Sequence, residues 1–291
     1  MAHRFRRLLA STLVGLAVAS ALALFSRAGS RRTVPLGRSS LPPPSGSVGT
    51  LRITLLVDNN PGLAGLRTAW GFSALVEADG VRILFDSGPD PAVLEQNAER
   101  LGVNLSDIDL VVVSHEHGDH VGGLSALPPG LRVYVPGGID PSIRDRIRSM
   151  GFEVVELEDP TEISTGVWTT GSMRGPPAEQ GLVINVSGLG AVLITGCAHP
   201  KVENMAQRAS EILGVRLYAV IGGFHLGSAS RGRLEEIARV FRSMGVEFVA
   251  PVHCSGDRAR SFFQEAMPGA YGDGHVGSVL MFSESGVSAE G

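Results

Sequence analysis

Ile108-Asp109-Leu110-Val111-Val112-Val113-Ser114-His115-Glu116-His117-Gly118-Asp119-His120-Val121-Gly122-Gly123 is the stretch on which the reading of this chain turns. Its opening residues are mostly apolar and rich in valine, which predicts a buried strand over 108–113. That strand runs straight into a histidine cluster, so the cluster falls at the edge of the core, where loops carry chemistry. In an extended segment His115 and His117 alternate around Glu116, and their rings point the same way, towards one ion. Asp119 and His120 follow a glycine that lets the backbone turn, and they reach a second ion or a bound water. Gly122-Gly123 then allows a helix to pack close behind. Three imidazoles and a carboxylate suit zinc, as one ion or two, while iron and manganese accept the same donors. A lone His-x-His recurs by chance. The full His-x-His-x-Asp-His string after a valine-rich strand is far more restrictive, and it points to a metal-dependent enzyme.

Outward from this stretch, short apolar runs alternate with longer amphipathic ones. Residues 51–57, 72–77 and 81–85 read as strands, the last two joined through Asp79-Gly80, a strong hairpin signal. Residues 91–101 read as a helix with Pro91 near its first turn and Gly102 ending it. Further strands are predicted over 131–135, 153–157, 182–186 and 191–195, the last pair forming a hairpin across Ser187-Gly188-Leu189-Gly190. The second half then repeats strand, loop and helix: a helix after Pro200, a strand over 217–221, a helix over 233–244, a strand over 247–252 and a helix over 258–267. A final strand covers 279–282. Hairpins mixed with helices in both halves, without a clean linker between them, predict one α/β domain over 50–284: two sheets face to face with helices outside, a four-layer αββα sandwich.

With that order in place, the chain resembles the metallo-β-lactamase superfamily over essentially all of 51–282. The His115–His120 string is similar to the superfamily's signature. Asp86, in Leu84-Phe85-Asp86-Ser87-Gly88, is similar to the buried aspartate that braces the metal loop. His199, in Thr195-Gly196-Cys197-Ala198-His199-Pro200, resembles the third-motif ligand, and His253, in Pro251-Val252-His253-Cys254, the last one. The resemblance narrows to the dihydropterin ribofuranosyl-aminobenzene phosphate synthase-like branch on four motifs: Val57-Asp58-Asn59, Gly196-Cys197-Ala198-His199, Gly222-Gly223-Phe224-His225-Leu226 and His253-Cys254-Ser255-Gly256. It implies that His115, His117 and His199 hold one ion and that Asp119, His120 and His253 hold a second. Two departures stand out. Where most of the superfamily carries an aspartate or cysteine after the 217–221 strand, often bridging two metals, this chain carries His225. His225 is then a ligand, or a histidine facing substrate; an imidazole cannot bridge two ions through one atom. Ala69-Trp70 stands where the branch has a charged Glu-His pair, which bears on substrate recognition.

The implied function is a metallo-hydrolase working through a metal-activated water on a small molecule, a phosphoester or pterin-like compound, with a lactone or lactam as the alternative. Asp119 is placed to accept the water's proton and His225 to protonate the leaving group. A non-catalytic, membrane-tethered metal- or ligand-binding module is the competing class, and the intact ligand string speaks against it. Among the remaining residues, Glu116 reads as solvent-facing or holding backbone, Asp58 as holding the metal loop or facing substrate, and His275 as a surface residue.

The chain's 291 residues carry a formal charge of −4, and positive charge is almost entirely arginine, with Lys201 the only lysine. No basic patch forms a nucleic-acid footprint, so no nucleic-acid partner is expected. Cys197 and Cys254 are too few for a disulfide scaffold. They read as small buried side chains near a site, as metal thiolates, or as a disulfide if their loops meet. At the N-terminus, Arg4, Arg6 and Arg7 precede an uncharged apolar run over 8–25, which as a helix would be roughly 27 Å long, near bilayer thickness. Residues 1–25 are therefore expected to be a membrane anchor or an export signal, with Ala19-Ser20-Ala21 as a candidate cleavage site. This predicts a membrane-anchored or exported protein. A Pro/Ser/Gly-rich tether over 26–49, stiffened by Pro42-Pro43-Pro44, is expected to lead to the domain.

Overall fold

The computed structural model describes residues 46–290. One mixed sheet contains β1 (Thr50–Val57), β2 (Ser73–Ala78), β3 (Val81–Phe85), β4 (Leu110–Val112), β5 (Arg132–Pro136) and β6 (Glu153–Leu157) side by side. β13 (Val279–Ser283) and β14 (Gly286–Glu290) return to its edge beside β1. The second sheet has β7 (Thr161–Ser164), β8 (Val167–Thr169), β9 (Leu182–Val186), β10 (Gly190–Thr195), β11 (Leu217–Gly223) and β12 (Phe248–Val252), also in chain order. In each sheet the strands that feed the site are parallel: β3, β4 and β5 in the first, β10, β11 and β12 in the second. Parallel neighbours put their C-terminal ends, and the loops that follow, on one rim.

The strand alternation expected from sequence decides what lies between the layers. Ile53, Ala74, Val76, Ile83 and Phe85 face inward and meet Ile184, Val192, Ile194, Ile221 and Ala250 of the opposite sheet. The residues between them face outward. Leu56, Leu75, Leu84, Val111 and Val133 pack on α1 (Pro91–Arg100) and on Ile147 of α3 (Pro141–Ser149). Val183, Leu193, Val220 and Val249 pack on α4 (Val202–Leu213), α5 (Arg231–Ser243) and α6 (Asp257–Ala266). The predicted αββα sandwich is the observed one. Each of the fully buried large side chains in these faces contributes about 1.5–3 kcal/mol relative to exposure.

Helix starts follow local rules. Asp90 accepts hydrogen bonds from the N–H groups of Ala92 and Val93 ahead of Pro91, and Ser230 accepts one from Arg233. α3, absent from the sequence-based expectation, has the same start, with Asp140 capping Ser142 before Pro141. Its body is arginine-rich and buries only Ile147, so it lacks an apolar stripe to reveal it. β7 and β8 are three or four residues long and β14 is half exposed, which is why none of them was legible as a strand.

The folded region exceeds the expected 50–284 at both ends. Val48 is buried and pairs with the second sheet through Asn185 and Ser187, so residues assigned to the tether are part of the domain. At the other end β14 adds an edge strand beyond residue 284. The apolar run over 1–25 and most of the 26–49 tether lie outside the described residues. Among the described residues no helix is long and apolar enough to cross a membrane.

Candidate metal centre

The site is assembled from the C-terminal ends of strands in both sheets. β1 delivers Asp58 and Asn59, β3 delivers Asp86, and β4 runs into the string His115 to His120, whose last residues form the one-turn helix α2 (Gly118–Val121). From the other sheet β10 supplies Cys197 and His199, β11 supplies His225, and β12 supplies His253 and Cys254. Positive φ at non-glycine residues concentrates here: Asp86 at 57°, Ala198 at 59°, His225 at 54° and His253 at 47°. Such angles are strained for side-chain-bearing residues, and strain of this kind gathers where a site demands particular side-chain directions.

The expected donors come together as two triplets. The ligand atoms of His115, His117 and His199 lie within 4.8 Å of one another, and so do those of Asp119, His120 and His253. Within the first, His115 Nε2 and His117 Nδ1 are 3.1 Å apart. Within the second, Asp119 Oδ2 is 3.6 Å from His120 Nε2 and 3.4 Å from His253 Nε2. Two donors bonded to one tetrahedral zinc at about 2.0–2.3 Å stand roughly 3.3–3.6 Å apart, so these spacings suit an ion in each triplet. His253 Nε2 is buried with no hydrogen-bond partner, a group that calls for one. The residues present therefore match the metal chemistry that the motif implies.

The far side of each ring is held. Asp86 is completely buried; it accepts hydrogen bonds from Ser114 N and Oγ and stands 2.7 Å from His120 Nδ1. Ser114 Oγ is 2.9 Å from His115 Nδ1, and Asn59 Oδ1 is 3.0 Å from His253 Nδ1. Glu179 is 2.8 Å from His199 Nδ1 and also accepts the backbone N–H groups of Cys197, Ala198 and His199. With Nδ1 occupied, His120, His199 and His253 are oriented to present Nε2 inward, the usual support for metal-binding histidines. Asp58 accepts the N–H of His253, so it holds the last loop in place. Glu116 accepts the N–H of Asp140, which makes it a backbone anchor, and His275 pairs locally with Ser278 away from both triplets.

Electrostatics follow the packing. Burial, then the neighbouring imidazoles, hold His115 well below the usual histidine range, and burial with the charge of His199 lowers His117. Both rings are thereby kept neutral, the form that donates a lone pair to a metal. Burial would raise Asp119, but the contact with His253 and the charges of His120 and His253 hold it at about 2. Burial would likewise raise Glu179; the His199 ring and the backbone N–H groups outweigh it and hold the carboxylate below its ordinary range.

His225 falls outside both triplets. Its exposed ring stands 4.7 Å from that of His199, and its ligand atom groups with the sulfurs of Cys197 and Cys254. Both cysteines are free thiols, and Cys197 Sγ is 3.3 Å from His120 Nε2. Trp70 is the most exposed large apolar side chain among the described residues and its ring lies 5.0 Å from that of His253. Glu179 was not legible from the chain alone: it sits in an irregular loop before β9, and no spacing rule links it to His199.

Comparison with known proteins agrees with this architecture. Residues 71–209 match the Metallo-beta-lactamase superfamily. The chain is 26% identical over 290 residues to the 7,8-dihydropterin-6-methyl-4-(beta-D-ribofuranosyl)-aminobenzene-5'-phosphate synthase of Methanocaldococcus jannaschii, covering 81% of this chain and 98% of the relative. A crystal structure described as a metal-dependent hydrolase of the beta-lactamase superfamily superposes with a TM-score of 0.69 at 28% identity, covering 80% of this chain and 99% of that one. The metallo-beta-lactamase fold protein YhfI of Bacillus subtilis, at 17% identity and a TM-score of 0.61, covers 80% of this chain and 100% of its own and shares the fold. These likenesses cover the histidine string and the sheets that flank it: residues 71–209 match the metallo-β-lactamase superfamily, and the described region shares the fold of the two solved structures.

Proposed function

We propose that this protein is a metal-dependent hydrolase of small molecules, acting on a phosphoester that carries a planar ring. The observation that carries the reading is the pair of donor triplets, three nitrogens in one and two nitrogens with a carboxylate oxygen in the other, which meet where the ring centroids of His115 and His120 stand 4.1 Å apart. Zinc is the ion that this donor set suits best. His115, His117 and His199 would hold one ion and Asp119, His120 and His253 the other. When bound, the ions supply activation of a water and polarisation of the oxygen under attack.

The chain's own residues do the rest. Asp86, Glu179 and Asn59 keep the rings aimed, which removes reorganisation from the reaction. Asp119 stays anionic and suits the role of ligand; a carboxylate held at about 2 is a weak proton acceptor, which disfavours the general-base role considered for it. His225 lies free of both triplets at a cleft of about 240 Å³ shared with His199, Lys201 and Arg233. Its hydrogen bond with Cys254 raises it, which favours the protonated ring and suits donation of a proton to a leaving group. Trp70, beside His253, offers a flat face on which an aromatic substrate can stack. The pterin named in the Methanocaldococcus jannaschii relative is a planar ring system bearing a phosphate ester further along, and supports this choice over a lactone or lactam.

Metal analysis of the purified protein, followed by turnover of bis(p-nitrophenyl) phosphate, an acyl-homoserine lactone and a chromogenic β-lactam, tests the reading. The phosphodiester is the expected substrate. His117→Ala is expected to abolish its turnover together with metal binding in the first triplet. Wild-type rates in that variant would overturn the assignment, and turnover of the lactone or β-lactam alone would move the substrate class.

We further propose that residues 1–25 anchor the domain to a membrane or direct its export. Basic residues ahead of the apolar run support this.

A further inference from the structure

We propose that Lys201 is a specificity-determining residue that binds a second anionic group, a carboxylate or phosphate, on the arm of the substrate that enters the cleft beside His199. This rests on the phosphoester reading above and deepens it by naming what the substrate carries besides its planar ring. Lys201 holds φ 79° and ψ 131°, close to a backbone conformation that glycine alone adopts readily. The chain on either side fixes it there. Lys201 N donates to Ala198 O across the turn that carries His199, and Lys201 O accepts the N–H groups of Asn204 and Met205 at the start of α4. Glycine would occupy this position without strain, and the side chain it would remove is exposed and makes no ion pair among the described residues. Strain retained at a solvent-facing residue beside a metal-donor histidine points to a task for the side chain itself.

The surroundings suit an anion. Lys201 comes two residues after His199, so their Cα atoms stand at most roughly 7 Å apart. Both line the cleft of about 240 Å³, with His225, Ser228 and Arg233. Arg233 is already held by Glu203 and Glu236. The ammonium of Lys201, the one lysine among 25 lysines and arginines, has no such carboxylate among the described residues. The cleft adjoins the first triplet through His199, whereas Trp70 stands beside His253 of the second. A phosphodiester held between them has one arm for each, the planar ring against Trp70 and the anionic arm at Lys201. A compact ammonium on a flexible stem accepts an oxyanion of either geometry, which is what a carboxylate and a phosphate share.

Calorimetric titration of the zinc-loaded full chain tests this without turnover. The probes are 3-phosphoglycerate and glycerol 3-phosphate, which share a phosphate and differ in whether the far end is a carboxylate or an alcohol. Wild-type protein is expected to bind phosphoglycerate about three- to tenfold more tightly, a preference that shrinks as salt is raised. K201Q is expected to abolish the preference and K201R to keep it. K201G is expected to abolish it too, while melting about 2–4 °C above K201Q because the backbone strain is released. Equal affinity for the two probes in the wild type, binding of neither, or a preference that survives in K201Q would overturn the proposal. So would a K201G protein no more stable than K201Q, since the lysine would then sit there at no cost. A preference that depends on Lys201 in a protein that turns over no phosphodiester would leave the anion subsite standing and overturn the hydrolase reading alone. Phosphodiester turnover with no such preference would do the reverse.

Discussion

Asp86 illustrates how much of this site depends on residues that touch no metal. It is completely buried at φ 57°, a conformation that asparagine tolerates better than most residues. Asp86→Asn therefore preserves shape and backbone while weakening the hold on His120 and Ser114. Metal affinity is expected to fall by about 10- to 100-fold, as measured by competition with a chromogenic chelator. Unchanged affinity would show that His120 is oriented by packing alone. Trp70 belongs to the same scale, and under the proposed function its exposed ring beside His253 would bear on substrate binding. Losing a ring–ring contact of about 0.5–1.5 kcal/mol predicts a roughly two- to tenfold rise in KM for aryl phosphodiesters in Trp70→Ala. Alkyl phosphodiesters and metal content are expected to be unaffected, and an equal effect on alkyl and aryl substrates would remove the stacking role.

At the scale of elements, the metal loop is clamped against the loop that follows β3. A Cβ at Gly123 would meet Ser87 O at 2.1 Å, and one at Gly122 would meet Pro89 O at 2.1 Å. The close approach that these glycines imply in sequence is a contact between two backbones. Ser87 N and Oγ also hydrogen-bond to His120 O, so displacing this segment displaces a donor residue. Gly123→Ala is expected to cost about 1–3 kcal/mol by forced overpacking, read in urea unfolding, with weakened metal binding beside it. A stable variant with wild-type metal affinity would show that the loop yields without disturbing His120.

Across the whole folded region, donors from both sheets converge on one rim, so a metal held there would tie the two layers together. His115, His117, Asp119 and His120 follow a strand of the first sheet, while His199 and His253 follow strands of the second. Ligand that binds only the folded state stabilises by mass action, about 2.7 kcal/mol at a hundredfold excess over Kd. Chelation is expected to lower the melting temperature of the protein, and zinc to restore it in proportion to the logarithm of its concentration. A melting temperature indifferent to both would mean that the centre is not bound in the folded state.

The layers and most of the candidate centre were legible from the chain alone. Strand alternation at period two assigns Ile53, Ile83 and Phe85 to one face and Leu56, Leu75 and Leu84 to the other, because pleating leaves no freedom in that choice. The histidine string declared itself because its donors are adjacent in the chain, and His199 and His253 because each follows an apolar strand within a recognisable motif. α3, β7, β8 and β14 were hidden, since an arginine-rich helix and short or half-exposed strands carry little periodic signal. Only the tertiary structure brought Glu179 under His199 and kept His225 outside the triplets. It also set Cys197 against His120, 77 residues away in the chain. Those placements depend on how loops from two sheets meet, and no local rule of period, cap or spacing encodes a meeting of that kind.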